Sequence, residues 1–158
     1  MRKMKQRRLG ILLPAVLLWA VMSDPALSQG THRVERVIDG DTVELKNGER
    51  VRLIGINTPE TVHPFKSVEF FGKEAGEFTR RLAEGKRVRI VTDVQERDRY
   101  GRLLAYVFLE DGTFLNAELL KQGYATVSTH PPNVKYVKLF RKLERQARKK
   151  GIGLWGKR

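Results

Sequence analysis

The spacing of apolar residues changes after Ile56, and that change restricts the fold more than any other sequence feature. Up to Ile56 the chain carries short runs rich in β-branched residues, which are typical of strands. From Ser67 apolar residues recur at intervals of four, three and four, which is the spacing of one helix face. A chain that passes from strands to a helix in this way favours an α+β fold.

Five apolar runs predict strands, and they lie at 33–38, 42–45, 50–56, 87–92 and 103–109. Asn47-Gly48, a dipeptide typical of tight hairpin turns, separates the second run from the third. Helical spacing predicts one helix from Ser67, as its N-cap, to Gly85, and two more at 115–122 and 134–150. This order predicts an α+β domain built on a five-stranded Greek-key β-barrel of the oligonucleotide-binding (OB) type.

The first 28 residues differ in composition from the rest of the chain. Five cations lie within residues 1–8, an apolar run occupies 9–22, and the small residues Ala26 and Ser28 follow. This order is typical of a secretory signal, and the apolar run is short for a membrane span. We expect residues 1–28 to be a signal peptide removed after Ser28, which predicts export to the periplasm or exterior over an uncleaved anchor. Residues 29–158 then form one domain.

The chain has no cysteine, and its formal net charge is +13. Disulfides, thiolate metal sites and a cysteine nucleophile are therefore excluded, and the fold has to be held by core packing. Residues 1–28 carry five of the cations and one of the acids, which leaves +9 for the remainder. A domain this basic favours polyanionic partners, namely nucleic acid, anionic lipid or acidic polysaccharide.

Three clusters of polar residues carry groups suited to phosphate chemistry. The first, residues 52–60, brings a cation (Arg52), amide and carbonyl oxygens (Asn57, Thr58) and a carboxylate (Glu60) into nine residues. The second, Asp39-Gly40-Asp41-Thr42, is either an ordinary turn or the source of a carboxylate ligand to a hard cation. The third, residues 98–102, is either a charged turn or the source of a second arginine.

Two arginines, Arg52 and Arg102, are candidates for a phosphate clamp. The guanidinium group suits this task because its planar fork donates two parallel hydrogen bonds to phosphate oxygens and stays charged. Glu60 could then accept a proton from an attacking water. The three histidines have no metal-ligand spacing, and we expect them at the surface; they are His32, His63 and His130.

The order and spacing of these clusters resemble the staphylococcal nuclease (thermonuclease) family. The residues that carry the resemblance are Asp39-Gly40-Asp41-Thr42, Arg52, Thr58-Pro59-Glu60-Thr61, Tyr100-Gly101-Arg102 and Lys121-Gln122-Gly123. It extends from Thr31 to Trp155. The resemblance implies a calcium-dependent endonuclease that cuts DNA and RNA, preferably single-stranded or locally unpaired, and leaves 3′-phosphate ends. Nothing in the sequence suggests an oligomer.

The resemblance also implies a role for each site residue. The calcium ligands would be Asp41, Asn57 and the Thr58 carbonyl oxygen. Arg52 and Arg102 would bind the scissile phosphate, and Glu60 would orient or deprotonate the attacking water. The residues near the neighbouring phosphate would be Arg99 and Tyr100.

Two departures from the family pattern alter these expectations. Asn57 stands where the family prototype has an aspartate, so the site offers a dipole where a second charge is expected, and calcium affinity should be lower. Residues 127–132 lack the tyrosines that pack against the nucleotide in the prototype. Because stacking contributes roughly 1–3 kcal/mol per base, we expect weaker substrate binding with the chemistry retained.

The spacing between Arg52 and Asn57 raises a geometric problem. Residues five apart in a regular strand face opposite sides of the sheet. Gly55 lies between them, and a glycine within a strand often marks a bulge or bend. We therefore predict that pairing is interrupted near Gly55 and that Arg52 and Asn57 face the same cleft.

Three functions remain compatible with the sequence alone. The first is an exported nuclease, which the combination of Arg52, Glu60 and Arg102 favours, because a protein that only binds nucleic acid has no use for Glu60. The second is a non-catalytic OB-type nucleic-acid-binding protein of the envelope, which Asn57 favours because it weakens the metal site. The third is a basic domain that binds envelope polysaccharide or anionic lipid, and it would leave these residues unexplained.

Overall fold

The structure, a computed structural model, describes residues 30–61 and 70–156; the predicted signal peptide and Ser67 lie outside this part. The strands are β1 (Thr31–Asp39), β2 (Thr42–Leu45), β3 (Arg50–Leu53), β4 (Ile56–Asn57), β5 (Arg87–Val91), β6 (Leu103–Leu109) and β7 (Thr126–Val127). The helices are α1 (Gly72–Ala83), α2 (Leu115–Lys121) and α3 (Val137–Lys150), followed by a short 3₁₀ turn at Gly153–Trp155.

Five of the strands close into a barrel in the order β1-β2-β3-β6-β5, with β5 pairing back to β1. The β1–β2 and β2–β3 pairs are antiparallel hairpins, and the predicted turn at 47–48 joins the second of them. The β3–β6 pair is parallel, with Val51 opposite Leu103. The predicted α+β fold, a five-stranded barrel with three helices, is confirmed.

Element boundaries differ from the predictions by three or more residues at three places. The third strand ends at Leu53, three residues early, because Gly55 has φ 79° and turns the chain, so that β4 pairs with β7. Helix α1 begins at Gly72, with Phe71 as N-cap in the left-handed region, so Ser67 is not its cap. Helix α3 begins at Val137, three residues later than predicted, and the Lys135 amide before it donates to Asp93.

The core fills the barrel and the space beneath the helices. Phe140 of α3 is buried against the bend at Gly55, and a Cβ at that position would come within 2.6 Å of its Cε2 atom. Asn116 of α2 is buried and crosslinks two parts of the barrel, because it donates to the Ile54 carbonyl and accepts from the Val107 amide, each at 3.0 Å. The bend that follows β3 is therefore held from both sides.

None of the helices in the described part of the chain combines the length and the apolar character needed to cross a bilayer.

Candidate active site

The bend at Gly55 brings Arg52 and Asn57 to one side of the chain. Arg52 Nη2 donates to Asn57 Oδ1 at 3.0 Å, across residues that a regular strand would direct to opposite faces. The ladder is interrupted at residues 54–55, between the end of β3 and the start of β4. The predicted interruption is confirmed. Arg52 and Asn57 do meet on one side of the chain, but only Arg52 lines the cleft described below, so the prediction that both face it is wrong for Asn57.

The Arg52 guanidinium is largely buried and surrounded by oxygens of its own chain. Its Nη1 donates to the Leu53 and Ile56 carbonyls at 2.9 and 3.0 Å, and its Nη2 lies 3.0 Å from Asp41 Oδ2. Burial lowers the pKa of Arg52, and the Asp41 carboxylate opposes that change. An arginine nevertheless stays protonated in proteins. The carbonyl and carboxylate oxygens therefore hold a fixed positive charge beside the bend at Gly55.

Asp41 organises the segment that carries Asn57 and Thr58. It is buried, its Oδ2 accepts from the Thr58 amide at 2.9 Å, and its Oδ1 accepts from the Thr42 hydroxyl at 3.0 Å. Asp41 of the second sequence cluster thus contacts Thr58 of the first cluster, although the two residues are 17 positions apart. The predicted ligand residues Asp41, Asn57 and Thr58 are therefore neighbours in space.

The donor set fits a hard cation in its chemistry, because a carboxylate, an amide oxygen and a backbone carbonyl are oxygen ligands. Arg52 Nη2 already lies 3.0 Å from both Asp41 Oδ2 and Asn57 Oδ1, so these oxygens are arranged around a positive charge. Within the described residues no three His, Cys, Asp or Glu side chains group as a metal site. Of the three predicted ligands, only Asp41 is a carboxylate.

Asp39 holds the segment that carries Glu60. Thr61 Oγ1 donates to Asp39 Oδ1 at 2.8 Å, and the Gly40 amide donates to the same oxygen at 2.9 Å. Burial raises the pKa of Asp39, and the hydrogen bond from Thr61 partly offsets this effect. Glu60, next to Thr61, is exposed. Asp39 is thus a positioning residue that the sequence did not reveal, because its partner lies 22 residues away with no characteristic spacing.

Arg102 forms part of a second wall, at the start of β6. Its Nε donates to Asp98 Oδ2 at 2.7 Å, and Asp98 Oδ1 accepts from the amides of Tyr100 and Arg102. Partial burial raises the pKa of Asp98, but the hydrogen bonds from Arg102 and Tyr100 outweigh it and leave the pKa below its ordinary value. A charged Asp98 therefore fixes both the turn and the guanidinium.

The Tyr100 ring contacts both of the cleft-lining arginines of this wall. It is 68% exposed, and the guanidinium carbons of Arg99 and Arg102 lie 4.8 and 5.4 Å from its ring centroid. Arg99 also donates to the Tyr100 hydroxyl. The third sequence cluster therefore presents two cations and one exposed aromatic face on a single turn.

A cleft of about 520 Å³ separates these two walls. Arg52 and the bend at 53–56 line one wall, and Arg99, Tyr100 and Arg102 line the other. Asp41, Asn57, Thr58 and Glu60 do not line the cleft itself. Arg52 lines the cleft and also contacts Asp41 and Asn57, so it joins the cleft to the predicted calcium ligands.

The remaining side of the cleft comes from residues to which the sequence assigned no catalytic or ligand role. They are Gln95, Ser128, His130 and Asn133. His130 is exposed, as predicted, but it also borders the cleft, with Nε2 3.0 Å from Ser128 Oγ. Asn133 is joined to Gln95 on this side by two hydrogen bonds with the Gln95 backbone, at 2.8 and 2.7 Å. Ser128, His130 and Asn133 lie between β7 and α3, and tertiary contacts such as the Asn133–Gln95 bonds bring them to the cleft.

Comparison with known proteins finds similarity to one family profile and to several nucleases. The profile of a family described as staphylococcal nuclease homologue matches residues 50–157. The thermonuclease of Staphylococcus intermedius is 46% identical over 128 residues, which cover 79% of this chain and 76% of the relative. That of Staphylococcus hyicus is 44% identical over 131 residues, covering 81% and 77%. Endonuclease YncB of Bacillus subtilis is 37% identical over 129 residues, covering 78% and 61%.

Proposed function

This chain belongs to the staphylococcal nuclease family, and we propose that it is an exported, calcium-dependent endonuclease that hydrolyses phosphodiester bonds of DNA and RNA and leaves 3′-phosphate ends. The relatives named as thermonucleases and endonucleases support nuclease activity. The observation that carries the proposal is that Arg52 and Arg102 line the two walls of one cleft.

The two arginines would act on the charge of the phosphodiester. An anionic phosphate repels a nucleophile, and prealigned cations in a partly dry site lower that barrier. Arg102 uses Nε for Asp98, and in the described part of the chain neither of its Nη groups donates a hydrogen bond, so both can reach a phosphate. Arg52 is held by Asp41 and Asn57, which fixes its orientation before substrate arrives.

Glu60 would take the proton of the attacking water. The water oxygen bonds to phosphorus as the bond to the 5′ oxygen breaks, and that oxygen takes up a proton as it leaves. The phosphate then stays on the 3′ oxygen. A carboxylate can do this if it lies within hydrogen-bond reach of a water aligned with the leaving oxygen. Asp39 supports this role, because its bond to Thr61 restrains the segment next to Glu60.

Asp41, Asn57 and the Thr58 carbonyl would hold the calcium ion, which would add positive charge beside the phosphoryl oxygens. Asp41 is well placed for this role because it is buried and already braced by Thr42 and Thr58. Asn57 contributes a neutral oxygen, so we expect a working site that needs more calcium than one with two carboxylates.

Cleavage assays with a matched control variant test the proposal. Single-stranded DNA, duplex DNA and RNA are incubated with calcium, magnesium or chelator, and product ends are identified by mass. We expect cutting with calcium, fastest on single strands, and a loss of at least about a hundredfold in Glu60→Gln. Glu35→Gln, which removes an exposed carboxylate on β1, should cut normally. Full activity in chelator would refute the calcium role, and full activity of Glu60→Gln would refute the base.

A non-catalytic nucleic-acid binder is the second candidate. The observation that favours it is the neutral Asn57, together with an Arg52 already engaged by Asp41 and Asn57. Intact DNA in a retarded complex, under every metal condition, would support the binder over the nuclease.

Export rests on the basic, apolar and small-residue order of residues 1–28. Fractionation of cells that express the full chain should recover it outside the cytoplasm. Its mass should correspond to cleavage after Ser28. A cytoplasmic, full-length product would contradict both expectations. Elution as a monomer in gel filtration is expected as well.

A further inference from the structure

Helix α3 carries a stripe of cations that the cleft does not use. The stripe consists of Lys138, Arg141, Lys142, Arg145 and Lys149. At 100° per residue these five lie within an arc of about 100°, opposite the buried residues Phe140 and Ala147. All five are exposed. The stripe thus forms one continuous basic surface along the outside of the helix.

The five cations of the stripe have no acidic partner in the part of the chain that the structure describes. In residues 30–61 and 70–156, none of its five cations forms an ion pair. Several cations elsewhere are paired with carboxylates, as in Arg36–Glu44, Arg87–Glu110, Arg97–Glu49 and Lys121–Glu118. On α3 itself, the acidic residue Glu144 is used by Arg148 and the Val127 amide. The charge of the stripe is therefore left to an external anion.

The stripe also opposes the stability of its own helix. Lys138 and Lys142, Arg141 and Arg145, and Arg145 and Lys149 are like charges four residues apart, which destabilise a helix. The first turn has no acidic residue, although the helix dipole favours one there. A surface that serves only for solubility would intersperse both signs. A bound polyanion would remove the repulsion.

The position of α3 relates the stripe to the cleft. Asn133, which lines the cleft, is buried and fixed to Gln95, and Lys138 follows five residues later. From Lys138 to Lys149 the stripe runs for about 16 Å, which is roughly the rise of five base pairs along one strand. Its first residue thus follows a cleft-lining residue by five positions.

We propose that this stripe is a second binding surface, which holds the phosphate backbone of nucleic acid flanking the cleaved bond. The inference rests on the proposed function, because it takes nucleic acid as the substrate. The stripe contributes affinity for long substrates without base readout, since lysines and arginines on one face contact phosphates independently of sequence.

A charge-matched pair of variants tests the proposal. The first variant is Arg141→Gln/Lys142→Gln/Arg145→Gln, and glutamine keeps the helix propensity. The control is Arg33→Gln/Lys46→Gln/Lys73→Gln, which removes three exposed cations from β1, the hairpin turn and α1. Circular dichroism verifies that both are folded. Binding of DNA about thirty nucleotides long is measured in chelator by fluorescence anisotropy from about 50 to 200 mM salt.

We expect the α3 variant to bind long DNA at least about tenfold more weakly, with a salt slope reduced by about 2 to 3. The control should lose less than half as much, and both variants should cleave a dinucleotide like the wild type. Equal losses in the two variants, or unchanged binding in the α3 variant, would overturn the proposal. So would loss of binding to vesicles of phosphatidylglycerol and phosphatidylcholine with DNA binding intact, which would assign the stripe to a membrane. Failure of the wild type to cleave any substrate would refute the nuclease instead, because the binding comparison does not depend on cleavage.

Discussion

Arg52 shows how one residue can serve both the architecture and the chemistry of this protein. Its guanidinium satisfies two carbonyls at the bend, Leu53 and Ile56, and bridges Asp41 and Asn57. The same charge lines the cleft that would receive the phosphate. The Asn57 side-chain oxygen therefore accepts a hydrogen bond from Arg52 and would also bind the proposed calcium ion. Because the amide is neutral, it binds both cations less strongly than a carboxylate would.

Asn57→Asp should raise calcium affinity by about tenfold. A carboxylate adds a full charge to the donor set, although the stronger pair with Arg52 will offset part of the gain. Calcium titration by calorimetry measures the change directly, without reference to cleavage. The control is Asn47→Asp, which adds the same charge in the hairpin turn, where the side chain accepts from the Glu49 amide. An equal gain in the control would attribute the effect to net charge, and no gain in Asn57→Asp would remove residue 57 from the metal site.

Asp39→Asn should become relatively more stable as the pH rises. Burial raises the pKa of Asp39 above its ordinary value of 3.8, so the folded protein binds this proton more tightly than the unfolded chain. The wild type therefore loses stability as pH rises from about 3.8 through the higher folded value, and the neutral variant avoids that loss. Urea unfolding at a series of pH values, in chelator, measures the difference.

Asp111→Asn is the control for that experiment, because the pKa of Asp111 is shifted in the opposite direction. Its pKa is lowered, chiefly by hydrogen bonds from Thr113, so the ionised form stabilises the fold at higher pH. Its variant should become relatively less stable as pH rises through the ordinary value of 3.8. Two curves of the same sign would show that the burial of Asp39 has no influence on stability.

Individual strands and helices were predictable where their signals are local. The hairpin turn at 47–48, the three helices and all five barrel strands follow from periodicity and turn residues. The early end of β3, the β4–β7 pair and the parallel β3–β6 pair depend on contacts between distant residues, which a single sequence does not encode locally. The same holds for the site. Arg52 and Asn57 lie in one recognisable stretch, whereas the Asp39–Thr61 bond and the His130 side of the cleft arise from tertiary packing.

Gly55→Ala should destabilise the fold by about 2–4 kcal/mol and reduce cleavage. Its φ of 79° strains any residue with a Cβ, and that Cβ would clash with the buried Phe140 ring at 2.6 Å. Moving the bend would also separate Arg52 from Asn57. Urea unfolding and cleavage rates measure the two effects.

Gly48→Ala separates the strain from the clash. Gly48 has φ 82°, and no atom lies within 4 Å of a Cβ built there, so this variant reports strain alone, at about 1 kcal/mol. It should cleave normally, since it lies in the hairpin turn. If Gly55→Ala and Gly48→Ala lowered the free energy of unfolding equally, the close packing of Phe140 against the bend would not contribute to stability.

The molecule as a whole depends on a connection between the barrel and its helices that runs through Asn116. This buried side chain joins α2 to β6 through the Val107 amide and to the bend through the Ile54 carbonyl. Phe140 of α3 covers the same bend from the other direction. The walls of the cleft belong to β3 and to the start of β6, so their relative position follows from how the helices close the barrel.

Asn116→Ala should therefore lower the free energy of unfolding by about 2–4 kcal/mol and also weaken cleavage. Truncation leaves the Val107 amide without its buried partner, and it removes the donor to Ile54, so the loss exceeds that of an ordinary surface contact. Gln146→Ala, at an exposed position of α3, is the control and should change stability by less than about 0.5 kcal/mol. Because Asn116 does not line the cleft, reduced cleavage at temperatures where the variant stays folded would show that the barrel–helix connection sets the spacing of Arg52 and Arg102. Unchanged cleavage by a folded but less stable variant would instead mean that the two walls keep their positions through the β3–β6 ladder alone.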